Sequence, residues 1–233
     1  MSPLLRSAKR RRSALPARLR TRRAPVRRPG LAGALGAADQ AVLRFMRTKA
    51  PHDAATEAVF KTLGTMGEYA AVWVAVGIAG AAADAPRRPR WLLGAATGPA
   101  AVVINYAVKV AIGRERPLIE DHPPLARAPS KLSFPSAHTT SSFAAATAFG
   151  RVEPRARLPL YGLAAGICLS RPYLGMHYPS DVLAGVLLGT LIGGLVPGVG
   201  ERTLEERMLD FVADRAHEEA AVNADAEPPE GAG

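Results

Sequence analysis

The chain has 233 residues, 48% of them hydrophobic, and a formal net charge of +10; this is room for one domain with tails or for a small membrane bundle. The charge is local, because residues 1–30 hold eleven Lys/Arg and no acid while the remainder is balanced at nineteen basic and twenty acidic residues. One cysteine, Cys168, excludes a disulfide framework within the chain, and the absence of aromatics among the N-terminal arginines argues against nucleic-acid binding.

Residues 1–30 mix Arg with Ala, Pro and Ser without apolar periodicity, the pattern of a disordered tail. Such a tail is either simply solvated or attracted to anionic lipid headgroups, at about 1 kcal/mol per basic residue near the surface. No apolar core follows Arg27-Arg28 before Asp39 and Arg44, so a secretory or twin-arginine leader is not expected. Residues 31–52 predict a short amphipathic helix with apolar Leu35, Val42, Leu43 and Met46; Arg44, Arg47 and Lys49 suit it to an interface rather than a crossing.

Residues 53–200 predict a transmembrane domain. A helix opens near Asp53 and carries Val59, Phe60 and Leu63. Tyr69 to Ala83 holds only Ala, Val, Trp, Gly and Ile after its tyrosine, and with the preceding turn it reaches the roughly 20 residues a bilayer needs. Beyond the basic loop Pro86–Arg90, a second apolar run goes from Trp91 to Ile112, broken only by the polar Asn105 and Lys109. A proline-rich polar loop fills residues 113–137, and His122 reads as part of it. A third helix is expected from His138 to Phe149, a fourth from Leu158 to Leu169 after the basic loop 151–157, and a fifth from Val182 to Val199 with Ser180 as its N-cap. The fifth is uncharged and carries Gly185, Gly189 and Gly193, small residues at the spacing that lets helices approach closely in lipid. That face is a candidate for oligomer formation. Residues 201–233 predict an acidic helix and tail, and Cys168 a small buried packing residue. The fold class is therefore all-α, a membrane-embedded bundle of about five core helices with an interfacial N-terminal helix.

Three polar clusters fall at the ends of apolar helices: Lys109 with Arg116-Pro117, Pro135-Ser136-Ala137-His138, and Ser170-Arg171 followed by His177 and Asp181. In an up-and-down bundle all three reach one membrane face. There, Lys109, Arg116 and Arg171 offer fixed positive charge to a phosphate, and Ser136 with the next backbone amides offers donors at a helix start. Asp181 can accept from one nitrogen of His177 and leave the other to attack phosphorus. His138 can protonate the departing alkoxide and later activate water. Taken singly, each residue has a plainer role: a snorkelling lysine, positive-inside arginines, helix caps, a first-turn acid.

Together the spacings resemble the type 2 phosphatidic acid phosphatase superfamily, which shares its core with vanadium-dependent haloperoxidases. The family pattern is Lys, six residues, Arg-Pro; then Pro-Ser-Gly-His; then Ser-Arg, five residues, His, three residues, Asp. Here it reads Lys109 to Arg116-Pro117, Pro135-Ser136-Ala137-His138, and Ser170-Arg171 to His177 to Asp181, with Ala137 for Gly the one departure. The resemblance covers residues 53 to 199. It implies that Lys109, Arg116, Ser136, Ala137, Ser170 and Arg171 bind phosphate. His138 would be the general acid, His177 the nucleophile, and Asp181 its partner. No metal or other cofactor is implied. The expected activity is hydrolysis of a phosphomonoester or diphosphate on a membrane lipid through a phosphohistidine; the short form looks like small bacterial members acting on polyprenyl phosphates or diphosphates, decaprenyl-phosphoryl-phosphoribose phosphatases among them, and phosphatidic acid and phosphatidylglycerophosphate stay open. Phosphoryl transfer at the same site and a non-catalytic membrane scaffold are the alternatives. The basic loops opposite the site place it outside the cytoplasm of a multi-pass plasma-membrane protein by the positive-inside rule, although the Arg-rich tail argues the other way unless residues 31–66 cross or re-enter.

Overall fold

The computed structural model describes residues 31–119 and 122–198, with residues 208, 211–213, 215 and 216 beyond them. The expected Arg-rich tail, and most of the acidic segment after residue 200, lie outside the described residues. Among the described residues up to 198, seven α-helices follow one another: α1 (Leu31–Thr48), α2 (Ala54–Met66), α3 (Ala71–Ala83), α4 (Arg88–Ile112), α5 (Ala137–Val152), α6 (Arg157–Tyr173) and α7 (Pro179–Gly193).

The helix ends follow local chemistry. Asp53 accepts from the amides of Ala55 and Thr56 and so starts α2. Gly113, at φ 69°, turns the chain out of α4 in the left-handed conformation that lacks a Cβ clash. Between α2 and α3 the axis bends by 56°. Tyr69 and Ala70 both take positive φ there, 53° and 60°, an uncommon pair for residues other than glycine.

α5 is the centre of the bundle and packs on α7, α4 and α6, and to a smaller extent on α3. It is lined with small residues, and Ala144, Ala145, Ala148 and the hydroxyl residues Thr139 to Ser142 are all buried. Trp73 of α3 reaches into this polar seam and donates its indole N–H to the Ser142 hydroxyl at 3.0 Å, which satisfies both groups in the interior. Phe149 packs with Trp91 and Ile167 in the apolar part of the core, and Cys168 is buried on α6.

Four expectations change. The fourth helix runs on to Tyr173, so Ser170 and Arg171 sit within its last turn rather than after it, and Pro172 does not stop it. The fifth begins at Pro179, not Val182, because proline suits a first helical position; Tyr178 and not Ser180 is its N-cap. It ends at Gly193, short of the predicted Val199. Gly185, Gly189 and Gly193 face α5 of the same chain: a Cβ at Gly189 would stand 2.3 Å from the Thr140 carbonyl oxygen and one at Gly193 2.2 Å from that of Ala144. The glycine face is thus consumed within the bundle and is not open to a second copy.

Among the described residues, one helical stretch, Ala85–Ile112, is long and apolar enough to cross a bilayer, and the bent pair α2 and α3 makes a second if it acts as one span. α7 is apolar but shorter. Leu183, Leu187, Leu191 and Leu195 form an exposed ridge along α7 and just beyond it, on the side away from its glycines.

Candidate active site

α4 ends, α5 begins, α6 ends and α7 begins at one pole of the bundle. The opposite pole holds the turns around Arg87 and Glu153, tied to each other where Arg87 donates to the Val152 carbonyl at 2.7 Å and to Glu153 at 3.0 Å. At the first pole a cavity of about 590 Å³ opens between α2, α4, α5, α6 and the loop 114–136. Lys109, Arg116, Ala137, His138, Arg171 and His177 all line it.

Lys109, in the last turn of α4, is buried and donates to the Ser133 carbonyl at 3.0 Å. Arg116 extends from the loop and donates from Nε to the Ser130 carbonyl at 2.8 Å and from Nη1 to that of Met176 at 2.7 Å. Arg171 is buried at the end of α6, and its Nε has no hydrogen-bond partner. Gly64 makes room for it, since a Cβ there would stand 3.2 Å from Arg171 Nη1. Three cations converge on one cavity, and a buried guanidinium N–H without an acceptor is a costly arrangement that an anion relieves.

The two histidines differ in tautomer. His177 Nε2 lies 3.1 Å from Arg116 Nη1. A guanidinium only donates, so Nε2 carries the lone pair and the proton sits on Nδ1. Nδ1 faces Asp181 Oδ2 at 3.5 Å, longer than a formed hydrogen bond and close enough to shorten when the ring becomes positive. The ring is only 2% exposed, and burial, with the nearby charges of Arg116, Arg171 and Lys109, holds its pKa well below the usual histidine value. His177 is therefore neutral, with an unprotonated Nε2 in the cavity. His138 is reversed: Nε2 lies 3.1 Å from the Gly64 carbonyl oxygen, which only accepts, so this nitrogen carries the proton and the neutral ring keeps its lone pair on Nδ1.

Asp181 is fully buried at the third position of α7. Its Oδ2 accepts from the Tyr178 amide at 2.9 Å and its Oδ1 from Arg114 Nη1 at 2.8 Å. The two serines stand back from the cavity. Ser136 is the N-cap of α5, but its amide donates to the Asp181 carbonyl and its hydroxyl accepts from Thr139. Ser170 spends its hydroxyl on the Ile167 carbonyl at 2.6 Å, one turn back on its helix. What α5 offers to an anion is its first-turn amides, which have no partner within the helix, and Ala137 supplies one of these as glycine would.

Sequence reasoning passed over Asn105 and Arg114. Asn105 is buried, lines the cavity and donates to Thr140 Oγ1 at 2.9 Å and to the Pro135 carbonyl, which fixes the start of α5 against α4. Its signal was visible as one of the few polar residues in the Trp91 to Ile112 run. Arg114 looked like one more loop arginine.

The PAP2 superfamily pattern matches residues 90–203. The chain is 42% identical over 133 residues to decaprenylphosphoryl-5-phosphoribose phosphatase of Mycobacterium tuberculosis, an alignment spanning 55% of this chain and 72% of the relative. It is 33% identical over 133 residues to undecaprenyl-diphosphatase BcrC of Bacillus subtilis, spanning 55% and 66%. The fold matches that of the crystal structure of a transmembrane PAP2-type phosphatidylglycerolphosphate phosphatase from Bacillus subtilis with a TM-score of 0.58, over 70% of this chain and 84% of that one, at 24% identity. The fold is thus that of the helical PAP2 membrane phosphatases. This chain belongs to the PAP2 superfamily.

Proposed function

We propose that this protein removes phosphate from a phosphorylated membrane lipid through a covalent phosphohistidine at His177. The observation that carries the reading is His177 Nε2 facing the Arg116 guanidinium at 3.1 Å in the cavity that Lys109 and Arg171 also line. Substrate phosphate sits among these three cations and the first-turn amides of α5. The Nε2 lone pair forms a bond to phosphorus as the bond to the leaving oxygen breaks. The cations stabilise the charge on the equatorial oxygens, which is most of what phosphoryl transfer asks of a protein. Positive charge grows on the His177 ring, and the Nδ1 proton closes on Asp181.

His138 handles the protons. With Nε2–H given to Gly64, it acts through Nδ1. The proton left on Nδ1 by the water of the preceding turnover passes to the leaving alkoxide and returns the ring to its neutral form. The same nitrogen, now neutral, then removes a proton from water as its oxygen attacks phosphorus. The P–N bond breaks, inorganic phosphate leaves and His177 regains its lone pair.

The relatives named for decaprenylphosphoryl-5-phosphoribose and undecaprenyl diphosphate support a polyprenyl-linked phosphate or diphosphate as the substrate class. We place the protein in the cell membrane as a multi-pass protein. The pole opposite the site carries Arg87, Arg88, Arg90, Arg151, Arg155 and Arg157, which favours an extracytoplasmic site. The test is phosphate release by purified protein in detergent from polyprenyl phosphate, polyprenyl diphosphate, polyprenyl-phosphoryl-phosphoribose and phosphatidic acid, with EDTA present. Release from a polyprenyl substrate that vanishes in His177→Ala is expected. Equal release by the variant would remove the mechanism.

A further inference from the structure

Asp39 lies on α1, outside the residues matched to the family and far in sequence from every motif residue. It is nevertheless only 4% exposed. Its Oδ2 pairs with Arg114 Nη2 at 2.7 Å and accepts from the Ser180 hydroxyl at 2.5 Å, and its Oδ1 accepts from the Ser180 amide at 2.9 Å. Arg114 bridges onward: its Nη1 donates to Asp181 Oδ1 at 2.8 Å and to Ser180 Oγ at 2.7 Å, and its guanidinium lies 4.2 Å over the Tyr178 ring. The chain of contacts therefore runs Asp39, Arg114, Asp181, His177, with two carboxylates on one guanidinium.

We propose that Asp39 is a positioning residue for the site, acting through Arg114 on Asp181 and through Asp181 on the His177 ring. The argument has two parts. The first is geometric. Arg114 holds Oδ1 of Asp181 and the Tyr178 amide holds Oδ2, so the carboxylate cannot rotate away from Nδ1 of His177, and Asp39 with the Tyr178 ring fixes Arg114 in turn. The second is electrostatic. An Arg114–Asp181 pair alone is neutral and offers little to a histidine that turns positive on bonding phosphorus. With Asp39 the trio keeps one net negative charge beside that ring. Asp39 is held ionised for this: burial pushes its pKa up, but the hydrogen bonds from Arg114 and Ser180 outweigh it and leave the carboxyl below its usual value. α1 has a separate anchor, because buried Arg47 donates to the Pro123 carbonyl at 2.8 Å and to that of Tyr173 at 3.2 Å. Loss of the Asp39 charge therefore leaves the helix docked.

The proposal rests on His177 as the phosphate-bonding residue, and a double-mutant cycle on the full chain in detergent tests it. Asp39→Asn keeps an acceptor for the Ser180 amide and removes the charge. It is expected to lower kcat on the active lipid phosphate by about 10- to 100-fold, with KM within about twofold and a melting temperature near wild type. In an Asp181→Asn background the same change is expected to cost less than about twofold, since residues acting in one chain are not additive. Asp39→Glu should recover part of kcat. A purely structural cap would give equal losses in both backgrounds, and that result, or wild-type kcat in Asp39→Asn, overturns the proposal. Orthovanadate affinity, measured by calorimetry in the same four proteins, separates the two readings. If wild type binds vanadate but hydrolyses no lipid phosphate, the proposed function fails alone, and weakening by Asp39→Asn only when Asp181 is present still supports the positioning role. Equal weakening in both backgrounds, or no vanadate binding by wild type, overturns it.

Discussion

The deep wall of the cavity is buried: Asn105, Lys109, Ser141, Arg171 and His177 are all shielded and carry charge or hydrogen-bonding groups. At the rim of the same cavity Tyr69 is 82% exposed and Tyr106 61%, and the exposed Lys61 and Arg127 stand beside them. The deep wall is assembled around helix ends packed on α5, and Asn105, Lys109 and Ser141 are each held on a backbone carbonyl. The rim is made by the α2–α3 bend and the loop 126–130. On the proposed function, the chemistry common to every phosphate ester belongs on the buried wall. On that reading, discrimination between one lipid and another falls to the rim, where exposed side chains such as Tyr69 and Tyr106 can change without touching the core.

The sharpest way to break this contrast is His177→Ala, expected to cost about 10⁴-fold or more in kcat for any lipid phosphate; a loss confined to one substrate would mean the wall also selects. Arg116→Ala should follow, at about 10²- to 10³-fold in kcat/KM, as for removal of one charge-stabilising donor from a preorganised site. Gly189→Ala probes the packing under the wall. The added Cβ has 2.3 Å to the Thr140 carbonyl oxygen, so α5 and α7 must separate, and thermal melting in detergent should report a loss of about 1–3 kcal/mol.

A smaller effect follows from the lowered pKa of His177. Below about pH 6.5 the unfolded chain takes up a proton that the folded ring refuses, so stability present at neutral pH falls as the pH drops, approaching about 1.4 kcal/mol per pH unit. Wild type should lose more stability between pH 6.5 and 5.5 than His177→Asn; equal slopes would mean that the folded ring titrates normally. Smallest of all, Tyr69→Ala at the rim should shift KM by a few-fold among lipids and leave kcat within about twofold.

The contrast also marks what could be read from the sequence. Lys109, Arg116, His138, Arg171, His177 and Asp181 stand at fixed spacings because each cluster sits at one helix end, and local spacing survives in a linear reading. The helical fold class was legible for the same reason, since apolar runs and proline-rich breaks mark the elements. What failed was tertiary. The glycines of α7 signalled close approach correctly, but no local pattern says whether the neighbouring helix is α5 or another molecule. The fourth helix is expected to stop at Leu169, yet α6 runs on to Tyr173 with Pro172 in its last turn, where the missing N–H costs only one bond near the helix end. Asp39 meets Ser180 across 141 positions, and its partner Arg114 gave no signal apart from charge. Ser170 shows the converse: it fits the motif, but its hydroxyl faces its own helix.

The central claim is that phosphorus bonds to His177 Nε2, and rapid acid-free quenching of the protein with radiolabelled polyprenyl phosphate tests it most directly. We predict an acid-labile, alkali-stable phosphoenzyme that maps to His177, forms as fast as phosphate is released, and is missing from His177→Asn. A labelled intermediate of the same yield in His177→Asn, or full turnover by that variant, would contradict the account.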